Sequence, residues 1–207
     1  TCLTQHVAKN AHCVMPVSNA LQKAMVEHNI QANYQPINNV VDDFFYMTDD
    51  RQTANASKKT LLHISCFDDA HKNISGILHA TKKLLQQRND FQLVIVGTGP
   101  DFCSIEQLSK DLSIEHVVRF VGEQTPEQVQ QWFQQCEAFV FFSNYETAGV
   151  VLSESLACGK PIISTPVGIA PDIIHPETGV LVEKNDIEGL CNAMAHMLDH
   201  AQEYDSS

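Results

Sequence analysis

"EAFVFFSNYETAGVVLSESLACGKPIIS", residues 137–164, contains two short apolar segments with a helix-like segment between them. The apolar segments, residues 137–142 and 161–164, are short and rich in aromatic or β-branched residues, which is typical of buried strands. The segment between them is followed by Gly159 and Pro161, and these residue types commonly mark the end of a helix. A strand, a helix and a second strand in this order predict one unit of a parallel sheet.

Apolar segments of the same kind recur from residue 61 onward and alternate with amphipathic segments. This alternation predicts an α/β fold with a Rossmann-like, doubly wound parallel sheet. The six predicted strands are residues 61–66, 92–97, 117–122, 137–142, 161–164 and 179–182.

Two of the predicted helices begin with recognisable capping residues. Thr125, Pro126 and Gln128 predict a capping box with proline at the first helical position. Asn185 and Glu188 predict the same arrangement at the start of the last helix. These are structural signals and imply no chemistry.

The residues before the sheet have a different pattern. A strand, a helix capped by Ser18 and a short strand near residues 33–37 are predicted first, and a polar, acidic stretch follows. We therefore divide the chain into a βα unit at residues 1–40, a linker at 41–59 and a sheet domain at 60–207.

The composition limits the partners and the compartment. A formal net charge of -12 disfavours nonspecific binding to nucleic acid, and the apolar runs are too short to span a bilayer. The seven cysteines are scattered, which predicts reduced thiols and a cytoplasmic protein. The first residues lack the features of a signal peptide, and we expect the chain to begin partway through a fold.

The loops after the strands are where a ligand is expected, because open parallel sheets bind ligands at the carboxyl ends of their strands. Lys72 follows the first strand and offers a charge suited to a phosphate. Gly97 and Gly99 follow the second strand, where a missing side chain permits close approach to the backbone. The third strand ends at Gly122.

Two glutamates, Glu146 and Glu154, flank the start of the helix that begins near Gly149. The helix amino terminus favours an anion by roughly 1 kcal/mol, whereas two carboxylates repel one unless they accept hydrogen bonds from neutral donors. Vicinal hydroxyl groups are such donors. The arrangement favours a ligand with a central diphosphate and a hydroxylated ring at each end, such as a nucleoside diphosphate sugar.

Residues 145–168, "YETAGVVLSESLACGKPIISTPVG", resemble the E-x7-E motif of the retaining family 4 (group 1) glycosyltransferases. Further segments resemble that family in the same order along the chain, including "PVSNALQKAMVEHNI", "INNVVDDFF", "HKN", "VIVGTGP", "VRFVGE" and "TGVLV". The resemblance implies the two-domain GT-B fold, with this chain as the carboxy-terminal, donor-binding half, preceded by the last βα unit of the acceptor domain or by the hinge region.

The resemblance also implies roles for individual residues. Lys72 contacts the donor diphosphate, Glu154 contacts the ribose, and Glu146 contacts the transferred sugar as the catalytic residue. The other implied donor-binding residues are Thr147, Ala148, Gly149 and Val150 at the distal phosphate and sugar, and Arg119, Phe120 and Val121 at the base. Gly97 and Gly99 complete the candidate donor site.

The implied substrates are a nucleoside diphosphate sugar, of UDP or GDP type, and a glycan or lipid-linked acceptor. The family transfers the sugar with retention, needs no cofactor and has no obligatory divalent metal. The acceptor is bound by a domain outside these residues, so the chain alone is expected to be inactive. The implied role is polysaccharide or glycolipid assembly in the cytoplasm, which is compatible with peripheral association with the cytoplasmic face of a membrane.

Departures from the family pattern keep other functions open. The usual Gly-Arg pair of the first loop is replaced by Cys66 and Phe67, and the usual Gly-Gly-x-Pro-Glu contains Ile169 and Asp172. A non-catalytic nucleotide-sugar-binding or regulatory module is therefore the alternative. Sugar-nucleotide epimerases and phosphorylases also have the GT-B fold, but the cofactor-lysine motif of the phosphorylases is not seen in this sequence.

Two further functions have less support in the sequence. A dinucleotide-dependent oxidoreductase requires a third glycine, which "VGTGPDFC" lacks. His196 and His200 have the spacing of metal ligands on a helix, but no zinc-protease motif accompanies them, and no metal site is predicted.

Overall fold

A six-stranded parallel sheet forms the centre of the computed structural model, which describes residues 2–46 and 58–204. The strand order is β3-β2-β1-β4-β5-β6, which confirms the predicted doubly wound sheet. All six predicted strands are present, with small shifts at their ends. Their bounds are β1 (Lys59–Ile64), β2 (Phe91–Val96), β3 (Val118–Gly122), β4 (Ala138–Phe141), β5 (Ile162–Ser164) and β6 (Gly179–Leu181).

Helices cover both faces of the sheet, so neighbouring strand residues enter different cores. Leu61 lies in one apolar cluster, whereas the next residue, Leu62, lies in the other. Two 3₁₀ turns occupy Asp43–Phe45 and Ala201–Glu203. The helices are α1 (Cys2–Asn10), α2 (Asn19–Glu27), α3 (Asp69–Lys72), α4 (Ile74–Leu85), α5 (Phe102–Asp111), α6 (Pro126–Gln135), α7 (Val150–Ala157), α8 (Ala170–Ile173) and α9 (Ile187–His200). In the part of the chain that is described, no helix is both long and apolar enough to cross a membrane.

Of the two predicted capping boxes, one is present, and at the other the N-cap is displaced by one residue. At α6, Thr125 and Gln128 form the predicted capping box. At α9 the prediction was wrong, because the N-cap is Asp186, whose carboxylate accepts a hydrogen bond from Gly189 N at 2.8 Å. Asn185 instead has a left-handed backbone with φ of 63°, a conformation that asparagine tolerates better than most residues.

The residues before the sheet differ from the prediction in their strands. Ser18 caps α2 as predicted, accepting a hydrogen bond from Leu21 N at 3.1 Å. The two strands predicted around this helix form only one parallel bridge, between Val14 and Tyr34. The prediction of two strands was therefore wrong, because neither segment joins a sheet among the described residues. Residues 47–57 of the predicted linker lie outside the described residues, whereas Phe45 is buried against the second core cluster.

A polar network joins the end of α4 to α9. The Arg88 guanidinium, only 17% exposed, donates to Asp90 at 2.7 Å, to Asp199 at 2.9 Å and to the Ala195 carbonyl at 3.3 Å. Hydrogen bonds from Arg88, and then from Lys59, lower the pKa of Asp199 to about 2. The network therefore holds the carboxy-terminal helix against the start of the sheet.

We expect Arg88→Ala to lower the free energy of unfolding by about 1 kcal/mol, because it removes several charge-assisted hydrogen bonds at once. Urea denaturation at pH 7 measures the change. Lys83→Ala is the matched control, since Lys83 pairs with Glu188 on an exposed surface. Equal losses in the two variants would contradict a special role for the Arg88 network.

Candidate functional site

A cavity of about 630 Å³ opens at the carboxyl ends of β1 and β4, where Ile64 and Phe141 line it. The structure brings seven of the predicted site residues to the wall of this cavity. They are Lys72, Glu146, Thr147, Ala148, Gly149, Val150 and Glu154. Gly97, Gly99, Arg119, Phe120 and Val121 lie outside that wall.

Lys72 and Glu146 form an ion pair inside the cavity. Their side chains are only 17% and 11% exposed, and the Lys72 ammonium lies 5.7 Å from the centre of the Phe141 ring. Backbone contacts hold the two loops together, since Asn144 N donates to the His71 carbonyl at 2.7 Å. The pair is therefore built by the packing of two loops from neighbouring strands.

The two aspartates of the first loop serve the local structure. Asp68 caps α3 and accepts a hydrogen bond from His71 Nδ1 at 2.8 Å, which lowers the pKa of Asp68. Asp69 accepts a hydrogen bond from Ser75 N at 2.8 Å. Both carboxylates thus satisfy backbone donors at the start of α3 and α4.

Phe67 occupies the position where the resemblance implies an arginine. It is fully buried, and its ring centre lies 5.6 Å from that of Phe102 and 6.2 Å from that of Phe120. Of the described residues that line the cavity, Lys72 alone is basic. The positive charge of this wall therefore rests on one side chain.

Glu154 and the amino terminus of α7 also line the cavity. Gly149 is the N-cap of α7 and has a left-handed backbone with φ of 81°, a conformation that glycine adopts without a steric cost. No side chain within residues 2–46 and 58–204 caps this helix, so a ligand can use its first amide groups. Burial raises the pKa of Glu154.

Gly97 and Gly99 permit a close approach between two loops. A Cβ atom on Gly97 would lie 1.9 Å from the Ser65 carbonyl oxygen, and one on Gly99 would lie 2.6 Å from Phe67 N. Phe67 N also donates to the Thr98 carbonyl at 2.9 Å. These glycines therefore let the loop after β2 pack closely against the loop after β1.

The end of β3 lies at the edge of the sheet, with β2 between it and β1, and its residues have partners within the chain. The Arg119 guanidinium lies 5.2 Å from the centre of the Trp132 ring, and Phe120 packs against Phe67. The Val121 carbonyl accepts a hydrogen bond from Gln124 Nε2 at 3.0 Å.

The segment before the sheet contributes contacts that sequence reasoning missed. The Ser18 hydroxyl is fully buried and donates to the Thr147 carbonyl at 2.5 Å. Asn19 Nδ2 donates to Asp172 at 3.2 Å, and Asn39 lines the cavity. The capping signal at Ser18 is visible in the sequence, but its partner is 129 residues away and only the fold brings the two together.

Ser18→Ala removes both the cap of α2 and the bond to the Thr147 carbonyl. We expect the free energy of unfolding to fall by about 1.5 kcal/mol. Thr125→Ala, which removes a cap alone, is the matched control and is expected to cost about 1 kcal/mol. Thermal and urea denaturation compare the two, and a smaller loss for Ser18→Ala would argue against the long-range bond.

The sheet order defines a Rossmann-like domain, and the cavity lies at its topological switch point, where open α/β sheets generally bind their ligands. The sequence matches the profile of the family described as "Glycosyl transferases group 1" over residues 47–206. The chain belongs to this family of glycosyltransferases.

Two curated relatives show the range of similarity. The chain is 34% identical over 171 residues to the N-acetyl-alpha-D-glucosaminyl L-malate synthase of Bacillus anthracis, covering 79% of this chain and 44% of that protein. It is 32% identical over 107 residues to the alpha-monoglucosyldiacylglycerol synthase of Streptococcus pneumoniae, covering 52% of this chain and 24% of that protein. The chain thus spans less than half the length of these relatives.

Two solved structures share the fold. Sucrose-phosphate synthase from Thermosynechococcus elongatus has a TM-score of 0.84 and 26% identity, with coverage of 96% of this chain and 52% of that one. The Anabaena protein Alr3699/HepE in complex with UDP and glucose has a TM-score of 0.86 and 20% identity, with coverage of 98% and 57%. The second likeness concerns the fold alone.

Proposed function

We propose that the chain is the carboxy-terminal, donor-binding domain of a retaining family 4 glycosyltransferase with the GT-B fold, which takes a sugar from a nucleoside diphosphate sugar. The observation that carries this proposal is the Lys72–Glu146 ion pair in a cavity whose wall also contains Glu154. One cation and two carboxylates beside a helix amino terminus match a diphosphate placed between two hydroxylated rings.

Each of the three charged side chains has a role in this proposal. The Lys72 ammonium exchanges Glu146 for the more highly charged diphosphate when the donor binds. Glu146 is then free to accept hydrogen bonds from the transferred sugar, and it is the catalytic residue. Glu154 accepts hydrogen bonds from the ribose hydroxyls.

The remaining contacts come mainly from the backbone. The departing nucleoside diphosphate is stabilised by Lys72 and by the amide groups at the start of α7, with no cofactor or divalent metal required. Thr147, Ala148, Gly149 and Val150 supply the contacts to the distal phosphate and the sugar. Arg119, Phe120 and Val121 contact the base, while Gly97 and Gly99 support the diphosphate loop.

The donor is of UDP or GDP type. The acceptor is a glycan or a lipid-linked glycan in polysaccharide assembly. It binds to a part of the whole enzyme outside this chain, so the chain alone does not turn over. We assign residues 1–40 to the end of the acceptor domain, 41–59 to the linker and 60–207 to the donor domain. The whole enzyme acts in the cytoplasm, with peripheral association at the membrane.

Calorimetric titration of the chain with UDP, GDP, ADP and NAD, without added metal, tests this proposal. We expect one nucleoside diphosphate to bind selectively and Glu154→Ala to weaken it about tenfold, because the ribose loses a charged acceptor. Glu106→Ala is the control, since Glu106 pairs with Lys110 on the exposed face of α5. Preferential binding of NAD, or equal binding by the two variants, would contradict the assignment.

The buried Phe67 in place of an arginine favours a second candidate, a nucleotide-sugar-binding or regulatory module without catalysis. Such a module binds a nucleoside diphosphate sugar but transfers no sugar in the full-length protein. Radiolabelled sugar transfer or slow donor hydrolysis by the full-length protein distinguishes the two functions. Turnover that is lost in Glu146→Gln excludes the module.

A further inference from the structure

His63 is a buried titratable residue to which the proposed reaction assigns no role. It lies in β1, between β2 and β4, and is 0% exposed. Both ring nitrogens have a partner: Nδ1 lies 2.8 Å from the Val140 carbonyl oxygen, and Nε2 lies 2.8 Å from Ser65 Oγ. Burial lowers the pKa of His63 to about 4, so the ring is neutral at pH 7.

These partners leave a single arrangement of protons. The Val140 carbonyl can only accept a hydrogen bond, so Nδ1 carries the proton of the neutral ring. Nε2 is therefore the acceptor, and the Ser65 hydroxyl must donate to it. A residue buried in the sheet thus determines the direction of a hydroxyl proton at the end of β1.

Ser65 is half-buried and lines the cavity that contains Lys72 and Glu146. Because its proton is committed to His63, its oxygen can act toward the cavity only as an acceptor. An ionised phosphate has no proton to donate, so this oxygen does not suit the diphosphate. A sugar or ribose hydroxyl group does have such a proton, and the neighbouring carboxylates already suit hydroxyl groups.

We propose that His63 is a positioning residue that holds Ser65 as a hydrogen-bond acceptor for a hydroxyl group of the bound nucleotide sugar. The inference rests on the proposed function and adds to it a residue that selects for hydroxylated ligands. The hydroxyl belongs either to the ribose or to the transferred sugar. Binding of a nucleoside diphosphate with and without its sugar distinguishes the two.

The first experiment needs no ligand. Nitrogen-15 NMR of the histidine rings at pH 7 is expected to show His63 as the neutral tautomer with the proton on Nδ1. In Ser65→Ala the Nε2 resonance is expected to shift, since the nitrogen loses its donor, whereas Ser104→Ala on the exposed start of α5 leaves it unchanged. A charged ring, or a proton on Nε2, would overturn the proposal.

The second experiment measures affinity by calorimetry for UDP and UDP-glucose, and for GDP and GDP-mannose. We expect Ser65→Ala to weaken binding about fivefold and Ser65→Thr, which keeps the hydroxyl, to restore most of it. If only UDP-glucose or GDP-mannose loses affinity, the hydroxyl belongs to the transferred sugar. If UDP or GDP loses as much affinity as its sugar nucleotide, the hydroxyl belongs to the ribose. If the wild type binds and Ser65→Ala binds equally well, the inference about Ser65 is refuted, whereas the proposed function is not.

The role of His63 itself is tested with His63→Phe and with the double variant. If His63 acts through Ser65, His63→Phe weakens binding and adding Ser65→Ala costs little more, because the two changes remove one interaction. Additive losses in folded variants would show that His63 does not act through Ser65. If the wild type binds none of the four nucleotides, both the proposed function and the role of Ser65 toward the ligand fail, while the NMR result still decides the His63–Ser65 bond.

Discussion

Lys72→Ala is expected to weaken the binding of UDP and UDP-glucose by about 100-fold, or about 2.7 kcal/mol, in the proposed donor site. The magnitude is large because Lys72 is the one basic side chain among the described residues that line the cavity. A diphosphate that enters the variant meets Glu146 and Glu154 without a compensating cation. Calorimetry at a fixed salt concentration measures the change.

Two further variants qualify that result. Lys72→Arg keeps the charge and is expected to retain part of the affinity, whereas Lys110→Ala changes an exposed lysine and serves as the matched control. Urea denaturation of each variant checks the fold, because Lys72→Ala also leaves the partly buried Glu146 unpaired. A loss below threefold would show that the diphosphate does not bind at Lys72.

Acidification from pH 7 to pH 4.5 is expected to lower the free energy of unfolding of the wild type by roughly 2 kcal/mol more than that of His63→Phe. The folded state holds the pKa of His63 at about 4, below the ordinary value of 6.5. The unfolded chain therefore binds more protons between these values. The contribution is fully present above pH 6.5 and is lost as the pH falls through 4.

The comparison with the variant is needed because other groups also titrate in this range. Lys72 lowers the pKa of His63 and Asp69 raises it, so both belong to its electrostatic environment. His79→Gln is the control, since His79 lies on the exposed face of α4. Urea denaturation at several pH values measures the difference, and parallel pH profiles for the wild type and His63→Phe would contradict the buried, neutral ring.

The strands and the starts of some helices could be predicted because their signals are local. The apolar segments around Leu61 and Val140 are short and nearly continuous, as expected for strands buried on both faces. The capping box that begins at Thr125 spans only four residues of the chain. The cap of α9 was displaced because both Asn185 and Asp186 can cap a helix, and the backbone of the preceding turn decided between them.

The approximate position of the site also followed from the chain order. Once parallel strands are predicted, the loops that contain Lys72 and Glu146 must meet at the same edge of the sheet. Their ion pair was not predictable, because it depends on how the two loops pack through the His71 carbonyl. Phe67 could be recognised as a departure, but its burial became clear only with its neighbours Phe102 and Phe120.

The amino-acid sequence by itself determined the parallel sheet, the helix that begins next to Gly149 and the set of charged residues at the strand ends. Periodicity, capping and the E-x7-E spacing are properties of neighbouring residues, so they need no knowledge of the fold. Only the tertiary structure decided that Ser18 bonds the Thr147 carbonyl and that His63 orients Ser65 through its bond to Val140. These contacts depend on packing between distant segments, and a hydrogen bond forms only when packing places donor and acceptor within about 3 Å.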